Sequence, residues 1–332
     1  MYKKFESVTP QPHTQSLWAG SKLRAAVLSA MLAPLAAAPA VQAQEESARV
    51  LEEIMVTARQ RSESLQGVPV AVTVMDESMI ERTFAQNLRD LGDYAPNVSI
   101  GTVPGFNAAA IAIRGVSTGD IPSTFDPAVT VVVDGFYLGH YQASLLDMFD
   151  IQKVEILRGH QGTLFGKNTI GGVINVITKR GEGPLSVRAS LMGGSFETHN
   201  EGVNASGGND QFYYSFGASY IDTDGISAAS RALGNTEKDN YNNATFSGRF
   251  GWTPCELLNV DYVARYVDAD AKTDAFSFAT GLPFDAPGAN LTEAFYQRIQ
   301  LQSLAMDGLI RQRVGFNWTE YDRGDTSPFA FV

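Results

Sequence analysis

Between Leu185 and Tyr266 one pattern recurs four times. Leu185, Val187, Ala189 and Leu191 alternate with Ser186, Arg188 and Ser190. Phe212, Tyr214, Phe216, Ala218 and Tyr220 alternate with Tyr213, Ser215, Gly217 and Ser219. Ala244, Phe246, Gly248, Phe250 and Trp252 alternate with Asn243, Thr245, Ser247 and Arg249. Leu258, Val260, Tyr262, Ala264 and Tyr266 alternate with Asn259, Asp261, Val263 and Arg265. Each run is about ten residues long, the length a tilted strand needs to cross a bilayer. One side is apolar and aromatic and the other polar, the division expected between lipid and a lumen. No stretch reaches ~18 uninterrupted apolar residues, so no spanning helix is expected. A mean hydropathy of −0.10 is compatible with this, because alternation hides the apolar face.

The connections alternate as well. Gly207 to Asp210 and Thr253 to Glu256 are short, whereas Thr223 to Asn240 is a long polar loop. From Asp268 to about Leu301 the sequence reads as irregular. Short turns at one end and long loops at the other characterise outer-membrane barrels. A soluble antiparallel sandwich with one wet face is the alternative. Tyr220, Tyr241, Trp252 and Tyr266 at strand ends favour a membrane girdle. About five or six strands fit between Leu185 and Val332, whereas the smallest closed barrels have ~8. An open edge cannot sit in lipid, so the chain is expected to be the N-terminal part of a longer protein or a truncated product.

The N-terminus reads as an address. Lys22 and Arg24 precede an apolar run from Ala25 to Ala38, followed by the small-residue pattern Val41-Gln42-Ala43. Residues 1–43 are therefore expected to be a secretory signal peptide. Cys255 has no partner cysteine, which excludes a disulfide framework. A net charge of −11 argues against a nucleic-acid binder.

Residues 60–181 read as a small α+β domain. Val68 to Val74 is strand-like. Asp76 to Gly92 is expected to be one helix, with Ile80, Phe84, Leu88 and Leu91 on its apolar stripe. Ser78 and Glu81 would form its capping box, and Gly92 its stop. Val129–Val133 and Phe136–Leu138 flank Asp134-Gly135, a strong hairpin signal. Lys153–Leu157 and Gly172–Thr178 are further strands.

Four motifs in this domain carry a family resemblance. They are Pro96-Asn97-Val98, Ile113-Arg114-Gly115-Val116, Val131 to Tyr137, and VEILRGHQGTLFGKNTIGGVINVITKR from Val154 to Arg180. Together they closely resemble the plug domain of TonB-dependent outer-membrane receptors. His160 stands where that family commonly has Pro. Upstream, Glu52 to Ala58 looks like the TonB box, with Glu53, Ile54, Met55, Val56 and Thr57 as the expected partner-binding stretch. The resemblance implies an all-β transmembrane barrel, incomplete in this chain, with an α+β plug. The expected division is a signal peptide over 1–43, a periplasmic N-terminus with the TonB box over 44–59, the plug over 60–181 and barrel strands over 182–332.

The residues fit these roles physically. A β-prone peptide with a free edge can add a strand to a partner's sheet. The same stretch could instead be a tethering strand of the plug. Arg114 and Arg158, with Glu155 three residues before the latter, are lumen charges that need partners. In the family, arginines at these positions pair with acidic barrel-wall residues, which here would lie beyond Val332. Solvated turn arginines are the alternative. Gly115, Asp134, Gly135, Gly159, Gly162 and Gly166 read as tight plug turns. They are not a phosphate loop, because Gln161 and Asn168 stand where that motif needs Gly and Ser/Thr. His140, His160 and His199 lack metal-ligand spacing, and Asp93, Asp147 and Asp150 form no catalytic set. No enzyme activity and no cofactor are expected.

The resemblance implies a monomeric receptor in the Gram-negative outer membrane, with lipid around it. It would capture a scarce small ligand, a ferric siderophore being the commonest case and vitamin B12, haem or an oligosaccharide the alternatives. The inner-membrane TonB complex would supply the energy. The loops at Gly101–Asn107 and Ser117–Phe125 are the expected ligand-facing apices. A passive porin would need neither the box nor the plug.

Overall fold

A computed structural model of the chain describes residues 54–57, 61, 63–102, 109–117, 126–138, 146–227, 229, 235, 238–277, 282–306 and 309–325. The expected signal peptide, Glu53 and most of both expected ligand-facing loops lie outside these residues.

The N-terminal domain begins with two short strands, β1 (Met55–Val56) and β2 (Glu63–Ser64), paired antiparallel. There follow β3 (Val72–Asp76), helix α1 (Glu77–Arg82), a 3-10 helix (Leu88–Tyr94), β4 (Val98–Thr102) and β5 (Ala109–Ile113). Then come β6 (Val129–Val133), β7 (Phe136–Leu138), β8 (Ile151–Arg158), the single turn α2 (Gly162–Phe165) and β9 (Gly172–Thr178). A five-stranded sheet forms in the order β3-β8-β9-β6-β7, with β6 and β9 parallel. Every residue of β6 is buried, as a strand covered on both faces requires. One face packs on Ile80, Leu88, Leu91 and their neighbours. The other carries Val132, Leu157 and Val173 and is covered by Val56 of β1.

The expected hairpin is present: Asp134 and Gly135 have φ of 46° and 84° between β6 and β7. Two positive φ values in succession match the type I′ turn that Asp-Gly favours. The expected single helix is broken. Asp76, not Ser78, caps α1 by accepting from Met79 N–H. The Thr83 hydroxyl donates back to the Met79 and Ile80 carbonyls, a local bond that competes with helix propagation. Phe84 then turns left-handed and stands exposed, off the apolar stripe. The true capping box is Asn87 with Asp90, which restarts the chain as the 3-10 helix. Gly92 lies inside that helix and ends nothing.

The C-terminal region is one antiparallel sheet in sequence order. Its strands are β10 (Ser186–Gly194), β11 (Thr198–Gly208), β12 (Phe212–Thr223), β13 (Tyr241–Cys255), β14 (Leu258–Ser277), β15 (Leu282–Ala305) and β16 (Ile310–Asp325). Among the described residues β10 and β16 are its unpaired edges, so the sheet is an open section of wall. Its burial is inverted relative to a soluble sheet. Leu191, Phe216, Val314, Phe316 and Trp318 are exposed, while Asn204, Ser215, Asn243, Thr245 and Arg265 are buried. An apolar outside and a polar inside identify a lipid-facing wall.

The wall has seven strands rather than five or six. β11 escaped the alternation because Gly202, Gly207 and Gly208 dilute it, yet its register places Val203 opposite Ala218. The stretch from Asp268 to Leu301 is not irregular: β14 and β15 run through it as a long paired ribbon. Pro283, Pro287 and the outward acids Asp268 and Glu293 obscured it. Proline is confined in sheets to edges, strand starts and bulges.

Candidate functional site: the plug and its two attachments

The first attachment lies under the five-stranded sheet, where the expected TonB box is docked. Leu65 N–H donates to the Ile54 carbonyl, and Met55-Val56 pairs with Glu63-Ser64. Alternation along β1 sends Val56 into the apolar face, fully buried, while Met55 points away and stays exposed. Register puts Glu155 directly opposite Asn175 at one end of that face. Glu155 is fully buried. Its carboxylate accepts from Thr57 N–H at 2.8 Å, Thr57 Oγ1 at 2.9 Å and Asn175 Nδ2 at 3.1 Å. Lys153 Nζ lies 2.8 Å from Glu155 and also donates to the Met55 carbonyl at 2.8 Å. One buried carboxylate thus ties Thr57 down, and one ammonium bridges the carboxylate to the strand.

Glu155 therefore faces β1 rather than the wall. Arg158 donates to the Pro96 carbonyl and to Thr73 Oγ1. Partial burial, and then the nearby Arg114 charge, hold its guanidinium below the usual value. Among the described residues neither arginine bonds a carboxylate. The turn glycines divide by role: Gly115, Gly159 and Gly166 have positive φ, whereas Gly162 opens α2. His160 is exposed beside that turn.

The second attachment joins the plug to the wall. Asp134, at the β6–β7 turn, accepts from Thr178 N–H at 3.1 Å and from Arg249 Nη1 at 2.9 Å. Arg249, on β13, also reaches Asp261 of β14 at 3.1 Å. Arg298, on β15, donates to the Asp134 carbonyl. A Cβ on Gly135 would meet the flexible end of Arg298, which could shift, so it is the positive φ that calls for glycine at this turn. Asp150 receives Arg265 Nη1 on both oxygens, at 3.1 and 3.2 Å. Asp147 accepts from Thr245 Oγ1 at 2.7 Å, Asn243 Nδ2 at 2.9 Å and Ser219 Oγ at 3.3 Å. Burial pushes the Asp147 carboxyl above the ordinary carboxylate range.

In this seat the plug supplies acids and the wall supplies arginines; the barrel-wall acids expected for Arg114 and Arg158 lie outside the described residues. Sequence reading named Asp134 only as a turn and gave Asp147, Asp150, Arg249, Arg265 and Arg298 no role. The available signal was Arg249 and Arg265 on the polar side of their alternating runs.

An α+β domain seated by ion pairs on the polar inner face of a lipid-facing β-sheet defines a plugged outer-membrane barrel. Residues 64–173 match the family model described as TonB-dependent Receptor Plug Domain. The matched stretch lies within the α+β domain, so this part of the chain is similar to the plug of TonB-dependent receptors, and the wall strands follow it as they do in plugged barrels. The pesticin receptor of Yersinia pestis is 30% identical over 198 residues, 56% of this chain and 27% of that protein. The vitamin B12 transporter BtuB of Vibrio vulnificus is 27% identical over 175 residues, 52% of this chain and 27% of that protein. The chain thus matches about a quarter of the length of these curated relatives. The ferric yersiniabactin uptake receptor FyuA from Yersinia pestis shares the fold, with a TM-score of 0.68 and 19% identity over 79% of this chain and 42% of that one. These relatives are named as receptors and a transporter, in keeping with a chain that is not an enzyme.

Proposed function

We propose that the protein takes up a scarce ligand across the outer membrane at the expense of energy delivered by TonB, and that the ligand is a ferric siderophore. The observation that carries this reading is the docked β1 strand. A peptide edge just ahead of the plug, held by one carboxylate and one apolar side chain, is suited to release and strand addition to a partner. Ligand arrival at the far side of the plug would weaken that docking, and TonB would pull through Ile54 to Thr57. A passive pore has no use for such a strand. The choice of a siderophore is supported by likeness to a ferric yersiniabactin uptake receptor. Vitamin B12 is the second reading, favoured by the likeness to BtuB.

Ile54→Pro in the full-length receptor tests the mechanism. Proline removes a backbone donor, so strand addition to TonB fails. Ligand uptake by iron-limited cells should be abolished while ligand binding stays near wild type; equal loss of both would overturn the box assignment. Competition between a ferric siderophore mixture and cyanocobalamin in the same cells separates the two ligand readings.

A further inference from the structure

The inner face of the wall has an unusual charge balance. Directly opposed residues share a face, and so do residues two apart along a strand. Arg188 lies opposite Asn204, which lies opposite Gly217. Gly217 lies opposite Ser247, two residues from Arg249. Arg249 lies opposite Val263, two from Arg265, which lies opposite Tyr296, two from Arg298. Leu304, Gln302 and Thr292 of that same face oppose Arg311, Arg313 and Arg323. Seven arginines of the described residues therefore share the inner face, and Asp261 is the one carboxylate beside them among the described side chains. In the seated state plug groups meet Arg188, Arg249, Arg265 and Arg298. Glu77 and Glu81 meet Arg188. Asp134 meets Arg249 through its carboxylate and Arg298 through its carbonyl. Asp150 meets Arg265.

A second observation points the same way. Arg265 is 4% exposed, and among the described residues its Nε and Nη2 have no hydrogen-bond partner, while its guanidinium carbon lies 5.7 Å from the centre of the Phe149 ring. A gap of about 20 Å³ remains between plug and wall, bordered by Arg265, Arg249, Asp134, Asp150 and Tyr296. A buried guanidinium with two unused donors costs stability in the seated state, and a carboxylate that reached them would recover it.

We propose that the path opened when the plug gives way is a cation-lined track that selects an anionic solute, such as a carboxylate- or phenolate-bearing chelate. This rests on the uptake reading above. Withdrawal of the plug removes Asp134, Asp150, Glu77 and Glu81 together and leaves the arginines facing the passage. Such walls concentrate counter-ions and hand them from site to site. The bidentate forks of Arg249, Arg265 and Arg298 match planar carboxylates. The same side chains thus serve twice, first holding the plug's acids and then the solute's.

The test is the ion selectivity of the full-length receptor in a planar bilayer, with the plug loosened by urea. Under a KCl gradient the reversal potential should report chloride preference. The triple variant R249Q/R265Q/R298Q should lower the chloride-to-potassium permeability ratio by at least about threefold. The triple Lys variant, which keeps the charge, should retain the preference. A cation-selective wild-type channel overturns the proposal even if no variant inserts, and so does equal selectivity of the wild-type and Gln channels. Uptake fails or succeeds independently of this readout. Chloride preference in a receptor that takes up nothing through TonB would support the track and remove the uptake reading.

Discussion

The plug is attached on its β1 side by one carboxylate, one bridging lysine, one buried valine and a two-residue ladder, and on its wall side by Asp134 and Asp150 against arginines from three strands, with Asp147 on Ser219, Asn243 and Thr245. The β1 side is local and thin. The Thr57 bonds converge on Glu155, so losing that acceptor loosens Thr57 and weakens the cover over Val56, while Lys153 and Leu65 still hold the Met55 and Ile54 carbonyls. The wall side is distributed: Arg249 alone touches Asp134, Thr178 and Asp261. Segments with few buried contacts open at low free energy, whereas networks open near the global value. The difference teaches which end of the plug gives way at lower cost: the β1 strand can leave while the seat holds.

Breaking the stronger attachment should give the largest effect. Arg249→Ala leaves Asp134 and Asp261 buried without their cation and should destabilise the plug–wall seat by about 3–5 kcal/mol. Chemical unfolding of the full-length receptor, read by a fluorophore on the plug, measures this. Adding Asp134→Ala should cost less than the two single losses together, because they share one network. Additive losses would show that the seat is not a unit.

At the thin attachment, Glu155→Gln removes the charge that pairs with Lys153 and leaves one acceptor for three donors. A local loss of about 1.5–3 kcal/mol is expected. Faster amide hydrogen exchange at Thr57, with unchanged exchange in β6, would show it. Thr57→Val keeps the shape and deletes one hydroxyl donor, for about 1 kcal/mol by the same readout. If Thr57→Val proved as severe as Glu155→Gln, the carboxylate would not be the centre of the latch.

The smallest effect is in pH. Burial raises the Asp147 carboxyl in the folded state. A raised folded value means that the native state binds the proton more tightly than the unfolded chain. The stabilisation from protonated Asp147 is then fully present below the ordinary carboxylate range and fades as pH climbs through the raised value. The stability of the seat should fall slightly as pH rises through that window. Asp147→Asn, which mimics the protonated form, should flatten the profile, and an unchanged slope would show that another group carries it.

Much of this was legible in the sequence. The Asp134-Gly135 hairpin, β8, β9 and the wall alternation follow from turn chemistry and a period of two. The plug motifs were legible as family resemblance. Three things were not. The break after Arg82 depends on Thr83 and Asn87 bonding their own backbone, which periodicity ignores. The ribbon of β14 and β15 continues where apolar alternation lapses and prolines intervene, so a hydropathy pattern cannot see it. The seat pairs residues more than a hundred positions apart, such as Asp134 with Arg249 and Asp150 with Arg265. The role of Glu155 was misassigned for a related reason. Its spacing from Arg158 suggested a shared task, but on a strand residues three apart point to opposite faces.

The most direct test of the central claim is the mobility of a spin label at position 55 in the full-length receptor. Met55→Cys carries the label, and the exposed native Cys255 is replaced by Ser. The label should be immobilised when Glu155 is present and mobile in Glu155→Gln, with a second label on β7 unchanged in both. Equal mobility at position 55 with and without the Glu155 carboxylate would contradict the account, because the strand would then be held by something other than the latch.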